Sequence, residues 1–337
     1  MQIRLAEYTE KKTILDFINT YWRENHIFVR WPELFDDYHK NGDMLNYMIA
    51  IDEGKIYGVC GFIYANHEKQ PDVWVALWKV IPSGIPSLGM DIINSLKKTL
   101  GYRVLSCCGI KREVKKLYEF MGFQTGTLKH FYRLNQNCEY RIAVVSDSTQ
   151  PDYVASDDVE LVQIRSEDEF RGMVKYERDV FHIARPWKDL NYLIKKYFQN
   201  IAYKYFVYAI RTNQGEVNAV LFLKIVEAND SRAMRIVDFL GDETVLELCG
   251  KALEQITRNH NCEYIDFYEY GLLDSVLRKL GMRERDQNDN NIIPNYFEPF
   301  EQKNIDIHFF TSQAVNFRMF KADGDQERPN FICGESR

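Results

Sequence analysis

The sequence predicts an α/β (α+β) protein built as two similar halves in tandem, each a mixed central sheet flanked by helices. Three observations predict it. Segments with alternating apolar residues and segments with apolar residues three and four apart follow one another along the chain, as strands and helices do. A stretch rich in Ser and Asp, SDSTQPDYVASDD at 146–158, breaks that order near the middle. The elements on its two sides repeat at an offset close to 159 residues.

In the first half, residues 2–6 read as a strand and 11–24 as a helix, with Ile14, Phe17, Ile18 and Tyr21 on one face. Strands at 47–52 and 55–65 flank the turn Glu53-Gly54. A strand at 73–80 leads through SGIPS into a helix at 88–100. A strand at 103–108 precedes a helix at 111–121, and Gly122-Phe123 opens the last strands, which run to Leu134. The second half starts with a strand at 159–165 and helices at 167–180 and 188–199. Strands at 205–211 and 216–226 surround the turn Asn213-Gln214-Gly215. A strand at 234–240 leads into a helix at 245–258, and a strand at 264–268 into a helix at 272–280 before Gly281-Met282. Gly122 falls on Gly281, residues 103–108 near 263–268, and 74–80 on 232–239. The expected division is therefore 1–145, 159–315 and a tail, 316–337.

Of the 337 residues, 45% are hydrophobic and 27% charged, which excludes global disorder. Forty-three Lys and Arg stand against 49 Asp and Glu with no basic block, so a nucleic-acid partner is not expected. No apolar run approaches the roughly 20 residues of a membrane span. The N-terminus MQIRLAEYTEKK has no signal-peptide core, so a cytoplasmic protein is expected. Seven cysteines (60, 107, 108, 138, 249, 262, 333) form no CxxC pair, so neither a disulfide framework nor a metal site is expected.

Two stretches carry chemistry. One is KREVKKLYEFMGF at 111–123, directly after a strand, and the other is WVALWKVIPSGIPSLGMDIINSL at 74–96. In both, the first half resembles the GNAT (GCN5-related N-acetyltransferase) superfamily. The resemblance places a helix ending near LYxxxGF at the first stretch and gives Tyr118 the task of protonating the departing thiolate. A phenol with an ordinary pKa near 10 holds its proton at neutral pH and can act as such an acid. The plain alternative is a partly buried spacer between core residues Leu117, Phe120 and Phe123. At the second stretch the resemblance implies a cradle for the coenzyme A pyrophosphate at a helix N-terminus, where the dipole favours anions. It assigns Val80, Ser83, Gly84, Ser87, Leu88, Gly89 and Met90 to that role. Here the chain departs from the Q/R-x-x-G-x-G/A pattern: no Arg or Gln opens the loop, Pro86 stands where a glycine is expected, and the loop is one residue short. The alternative is a proline-stiffened turn.

The second half departs further. Leu277 takes the place of Tyr118, and Gly241-Asp242-Glu243-Thr244 puts carboxylates where a pyrophosphate would bind. This half is expected to serve the acceptor side. An amine acceptor needs a base, since an ammonium cannot attack a thioester. Asp238 and Asp266, inside apolar strands, are the catalytic candidates, with Glu269 and His130 nearby; a carboxylate in such a strand must find a partner or a role, Arg235 being one such partner. His182, Arg185 and Trp187, in VFHIARPW, join Glu269 as candidate acceptor-binding residues. In the tail, Asp323, Asp325 and Glu327 alternate around Gly324; the spacing is too short for an EF-hand and reads as a solvated turn. The tail and IIPNYFEPF at 292–300 resemble uncharacterised proteins of bacterial surface-polysaccharide pathways.

The resemblance implies an N-acyltransferase with acetyl-CoA or another acyl-CoA as co-substrate and an amino-sugar or nucleotide-sugar acceptor. Two other readings stand beside it. One is an aminoacyl-tRNA-dependent transferase of the peptidoglycan cross-bridge type, against which the missing basic stripe counts. The other is a catalytically silent binding or scaffold protein. The acyl group, the acceptor and the oligomeric state stay open at this point.

Overall fold

The computed structural model describes residues 1–286, 290–325 and 327–332; Cys333 lies outside them. Strand β1 (Gln2–Glu7) leads into α1 (Lys11–Tyr21), which buries Ile14, Leu15, Phe17 and Ile18. The helix stops three residues before the expected end, where the amides of Trp22 and Arg23 both turn onto the Ile18 carbonyl. Two short helices follow, α2 (Ile27–Arg30) and α3 (Pro32–His39), the second opening on a proline suited to its first position. Then come β2 (Lys40–Asn41), β3 (Met44–Asp52), β4 (Lys55–Tyr64), β5 (Asp72–Val80) and α4 (Leu88–Leu100). Gly101, at φ +58°, ends α4 in the left-handed conformation. Strand β6 (Val104–Ile110), α5 (Lys115–Phe120) and β7 (Gln124–Thr127) complete this stretch.

Beyond it lie β8 (Lys129–Leu134), β9 (Val159–Ile164), α6 (Glu167–Met173), α7 (Leu190–Tyr197), β10 (Phe206–Thr212), β11 (Val217–Ala228) and β12 (Ser231–Gly241). The expected helix at 167–180 thus ends at Met173. The expected helix at 245–258 is two helices, α8 (Glu243–Leu246) and α9 (Gly250–Asn259). At Gly250 a Cβ would lie 2.3 Å from that of Tyr153, so only glycine fits. Strand β13 (Cys262–Tyr270), α10 (Asp274–Lys279) and the short strands β14 (Arg283–Glu284), β15 (Tyr296–Phe297), β16 (Phe300–Glu301), β17 (His308–Thr311) and β18 (Met319–Phe320) follow.

Two compact units result. The first holds Met1–Thr125, Phe309–Ala314 and the tail from Asp323; the second holds Gly126–His308 and Val315–Ala322. The first sheet runs β1-β3-β4-β5-β6-β17-β7 and the second β9-β10-β11-β12-β13-β8-β14. The orders match place for place, but the sixth strand of each comes from the other half of the sequence. β8, expected to end the first half, pairs antiparallel with β13 from Tyr264↔Leu134 to Glu269↔Lys129. β17 takes the same place beside β6, where the Ser312 amide and hydroxyl bond the backbone of Leu105 at 2.8 and 2.9 Å. The units therefore do not coincide with the expected 1–145 and 159–315 division.

Each unit has its own core. In the first, Met48, Cys60, Phe62, Val75 and Leu105 on one sheet face meet Ile92 and Leu96 of α4. In the second, Leu221, Met234, Ile236, Ile265 and Phe267 meet Leu253 and Leu277. The 159-residue offset is structural too. Gly122 and Gly281 sit at φ +87° and +82°, and each precedes an amide that bonds back at 3.0 Å, Phe123 to Tyr118 and Met282 to Leu277. Among the described residues no helix is long and apolar enough to cross a membrane, and the six described cysteines are all free.

Strand exchange has a direct test. Residues 1–145 expressed alone lack β17 and its Phe310, which stacks on Tyr118 at 4.3 Å. That fragment should melt without a sharp cooperative transition in circular dichroism, whereas the full chain melts cooperatively. A fragment melting as sharply as the full chain would refute the exchange.

Candidate active site

The two central strands of the first sheet part early. β5 and β6 run parallel for three rungs, Asp72↔Val104, Val73↔Leu105 and Trp74↔Ser106, and the ladder ends there although both strands continue. Just beyond, the register between β4 and β5 passes from Cys60↔Trp78 to Phe62↔Val75, so Gly61 faces both Ala76 and Leu77. Such a bulge bends the strand and ends pairing. The result is a fork, with Trp78 on one arm.

The residues assigned to a phosphate cradle gather at one end of that arm. β5 ends at Val80, the exposed turn through Pro82 and Gly84 (φ +77°) follows, and α4 begins at Leu88. The Ser83 hydroxyl accepts from the Ile85 amide at 3.3 Å. The amides of Gly89 and Met90 belong to the first turn, where no helical carbonyl can reach them. Gly89 has a packing reason as well, since a Cβ there would lie 3.2 Å from the Trp78 ring. The Ser87 hydroxyl donates to Asp91 at 2.8 Å, which sets a carboxylate at the same helix end.

Tyr118 of α5 is buried, while its neighbours Leu117 and Phe120 are 46% and 80% exposed. This reverses the alternative in which the tyrosine is the spacer and those two form the core. Its ring lies 5.8 Å from Trp78, 6.4 Å from Phe123 and 4.3 Å from Phe310. Burial, reinforced by the Cys107 and Cys60 thiols, pushes the phenol well above its ordinary value, so it keeps its proton at neutral pH.

The second sheet forks in the same way, but its fork is filled by the chain itself. β12 and β13 pair from Arg232↔Cys262 to Ile236↔Phe267, with Val237 bulged against β11. β18 then pairs with β13 at Glu269↔Phe320 and Tyr270↔Met319, and the Ala322 amide donates to the Val237 carbonyl at 3.0 Å. Gly271, at φ +99°, admits this strand: a Cβ there would lie 2.3 Å from the Phe317 carbonyl oxygen. Asp242 caps α8 through the Thr244 amide, and Glu243 pairs with Arg318 at 2.9 Å.

The remaining sequence candidates lie in the second unit, where Asp238 and Asp266 have charged partners while Glu269 Oε1 is buried with no hydrogen-bond partner among the described residues. Asp238 accepts from Lys188 Nζ at 2.5 Å and Tyr197 Oη at 2.6 Å. Asp266 takes a two-pronged bond from Arg235, at 3.0 and 2.9 Å, and one from His130 Nε2 at 3.1 Å. Burial alone would raise the Asp266 carboxyl, but Arg235 and His130 together hold it below its ordinary value. Burial pulls His130 down to about 4 against the pull of Asp266. With both carboxylates fully buried in these pairs, the geometry gives them a structural task. Glu269 is also fully buried, its Oε2 accepting from the Leu272 amide at 3.0 Å. Burial, only partly offset by that amide and by Lys129, raises it to about 8. His182 stacks on Trp187 at 4.9 Å, while the Arg185 backbone binds Asn316 and Arg318 beside the tail strand.

No family model matches the sequence, and no curated protein matches it. Solved structures do match in shape. A GCN5-related N-acetyltransferase from Anabaena variabilis ATCC 29413 superposes with a TM-score of 0.57 at 9% identity, over 92% of this chain and 72% of that one. A conserved protein of unknown function from Enterococcus faecalis V583, a probable N-acyltransferase, superposes with a TM-score of 0.54 at 9% identity over the same shares. The chain has the GNAT fold.

Within this GNAT-like frame, sequence reasoning missed two things. The tail acids are not a solvated turn: Asp323, Asp325 and Glu327 are 0%, 5% and 4% exposed. Nor did it find the filling of the second fork, whose one signal was the segment Phe317-Arg318-Met319-Phe320, three large apolar residues in four, after the expected domain end. Among the described residues no group of His, Cys, Asp and Glu is placed to hold a metal.

Two titrations check the buried groups. The unfolded chain protonates His130 below its ordinary 6.5 and the folded chain only near 4, so stability should fall as pH drops across that window, by roughly 1.4 kcal/mol per pH unit. His26, held to about 3 by burial and by Arg328, adds to the slope. Urea unfolding of Glu269→Gln, which removes an opposing titration in the same window, at pH 7 and pH 5 reads the difference; equal midpoints in that variant would contradict it. Glu269 has the opposite sign, because the folded chain keeps a proton to about 8 that the unfolded chain loses near 4.5. Glu269→Gln should therefore raise Tm at pH 8 and leave it unchanged at pH 4.

Proposed function

We propose that this protein is an N-acyltransferase that moves an acyl group from an acyl-CoA to the amino group of a sugar or nucleotide-sugar, in the assembly of bacterial surface polysaccharide. One observation carries the reading: the two forks differ. The first has a protonated, buried Tyr118 and an open helix N-terminus beside it; the second has Leu277 in place of the tyrosine and is filled by β18. The names of the two similar structures support the reaction class. Acetyl-CoA or a longer acyl-CoA is the co-substrate, and a cytoplasmic location goes with that donor.

On this reading the donor pyrophosphate lies over the Gly89 and Met90 amides, with Ser83, Gly84, Ser87 and Leu88 around it and Val80 at the strand end. The thioester reaches Tyr118. The deprotonated amine attacks the acyl carbon, the C–N bond forms and the C–S bond breaks. The thiolate sulfur takes the Tyr118 proton, and the proton that leaves the amine nitrogen passes to water and from water back to the Tyr118 phenolate, which closes the cycle. Asp238 and Asp266 hold the second sheet together through Lys188 and Arg235 instead of serving as the base. His182, Arg185 and Trp187 lie in that unit as well and shape its surface beside the tail strand.

One feature favours a second reading, a transferase that takes an aminoacyl group from tRNA: Asp91 sets a negative charge at the helix end where a pyrophosphate would bind. A thermal-shift comparison separates the two. Acetyl-CoA at a hundred times its dissociation constant should stabilise the protein by roughly 2.7 kcal/mol, and no shift with any acyl-CoA would favour the tRNA donor. Tyr118→Phe keeps the ring and its stacking but loses the proton, so turnover should fall by roughly 10²–10⁴ with the fold intact. Leu277→Tyr should not restore it. Near-wild-type turnover in folded Tyr118→Phe would remove the tyrosine from the mechanism.

A further inference from the structure

In the second unit, β11 and β12 join at a two-residue turn. Asn229 and Asp230 make it, both left-handed at φ +50° and +55°, the geometry that fits the twist of a tight hairpin. A second hairpin, β15 with β16, pairs Phe297 with Phe300. Residues of the two hairpins line a cleft of about 710 Å³, within the size range of small-molecule sites. Arg232↔Cys262 is the first rung of the parallel ladder and Ile236↔Phe267 the last, so this cleft and the filled fork lie at opposite ends of one ladder.

The cleft is preformed. Asn229 Nδ2 donates to the Arg141 carbonyl at 3.0 Å, and Gln302 Nε2, one residue past β16, donates to the Ile142 carbonyl at 3.0 Å. One segment thus holds both hairpins. That segment is fixed in turn: the amides of Arg141, Ile142 and Ala143 bond the buried Glu263 carboxylate at 2.8, 2.9 and 3.0 Å. Walls anchored in this way lose little conformational freedom when a ligand enters.

The two walls differ in chemistry. One carries the rings of Phe297 and Phe300, 5.4 Å apart and tilted by 52°. The other carries Glu227, Asn229, Asp230 and Arg232. Glu227 and Arg232 face each other across the hairpin and pair at 2.9 Å, with side chains 53% and 49% exposed. An ion pair so open to water is weakly held and can share its oxygens and N–H groups with a ligand. Carboxylates accept, a guanidinium donates, and a hydroxyl does both. A ligand that satisfies both walls has hydroxyls along its edge and C–H groups on its face, which is the build of a pyranose ring. Two lining carboxylates against one guanidinium disfavour an anion. The tilt between the two rings offers no parallel slot for a nucleobase.

We propose that this cleft binds a neutral saccharide, with a C–H face of the sugar on Phe300 and its hydroxyls on Asp230, Arg232 and Glu227. The site goes beyond the acyltransferase reading, which concerns the first fork, and does not rest on it.

The test is binding of the full chain, without donor, to an oligosaccharide array. The array covers neutral hexoses, deoxyhexoses and N-acetylhexosamines and, beside them, uronic acids and sugar phosphates. Isothermal titration then measures each hit, with UMP as a nucleotide arm. At least one neutral oligosaccharide should bind, and Phe300→Leu and Arg232→Ala should each weaken it by roughly ten- to a hundredfold. The affinity for acetyl-CoA should not move in either variant. Arg232 is half exposed, so Arg232→Ala keeps the fold even if Phe300→Leu does not. An array with no neutral hit, or a hit held by Arg232→Ala within twofold of the original affinity, would overturn the site. UMP binding that Arg232→Ala abolishes would overturn it as well and give the cleft to a nucleotide. Acyl transfer by a chain that binds no saccharide would overturn the site and leave the acyltransferase reading standing. Saccharide binding by a chain that transfers no acyl group would do the reverse.

Discussion

Buried backbone N–H and C=O groups must be paired, and both sheets are organised around a place where their own strands stop pairing them. In each unit a parallel ladder ends next to a bulge in the strand that carries it, after Trp74↔Ser106 in the first and Ile236↔Phe267 in the second. The second unit resolves the constraint internally. Its own residues 316–322 run into the fork, bonded to β13 on one side and to Val237 on the other. Such a strand gives main-chain hydrogen bonds to both arms, and with Leu277 behind it the unit becomes a closed structural body. Among the described strands none pairs into the first fork, and that is the unit in which Tyr118, Trp78 and the α4 N-terminus converge.

Two buried carboxylates of the second sheet, Asp238 and Asp266, are matched by Lys188 and Arg235, whose remaining guanidinium donors bond the Pro294 and Asn295 carbonyls at 2.8 Å. A network satisfied to this degree fixes one arrangement of strands and leaves little for chemistry. Among the described residues, buried polar atoms without a hydrogen-bond partner occur in both units, Tyr47 Oη, Ser106 Oγ and His26 Nε2 in the first and Glu269 Oε1 in the second.

Much of this was legible in the sequence. Strand and helix periods located most elements, and the offset of 159 pointed to Gly122 and Gly281, which adopt the same left-handed turn. The context of Asp266 inside an apolar strand implied a partner, and Arg235 is that partner. The strand exchange was not legible, because LKHFYRL and HFFT show alternation without saying which sheet each completes. The tail misled for a physical reason: alternating acids around a glycine have the composition of a solvated turn, and their burial comes from tertiary packing of the segment, in which Gly324 meets Trp74 and Arg328 lies over Phe28. The helices at 27–30 and 32–39 are too short to show a period.

The exchanged strands also order events in time. The backbone of Leu105 is tied to Ser312, 207 residues later, so the first sheet cannot be finished until those further residues have been synthesised. At ordinary synthesis rates the incomplete edge of β6 waits roughly ten to forty seconds for its neighbour. An unpaired edge held that long invites wrong partners, other nascent chains among them. The cell's supply of holding chaperones therefore enters the yield of this protein directly, and more strongly than for a chain whose two halves close one after the other.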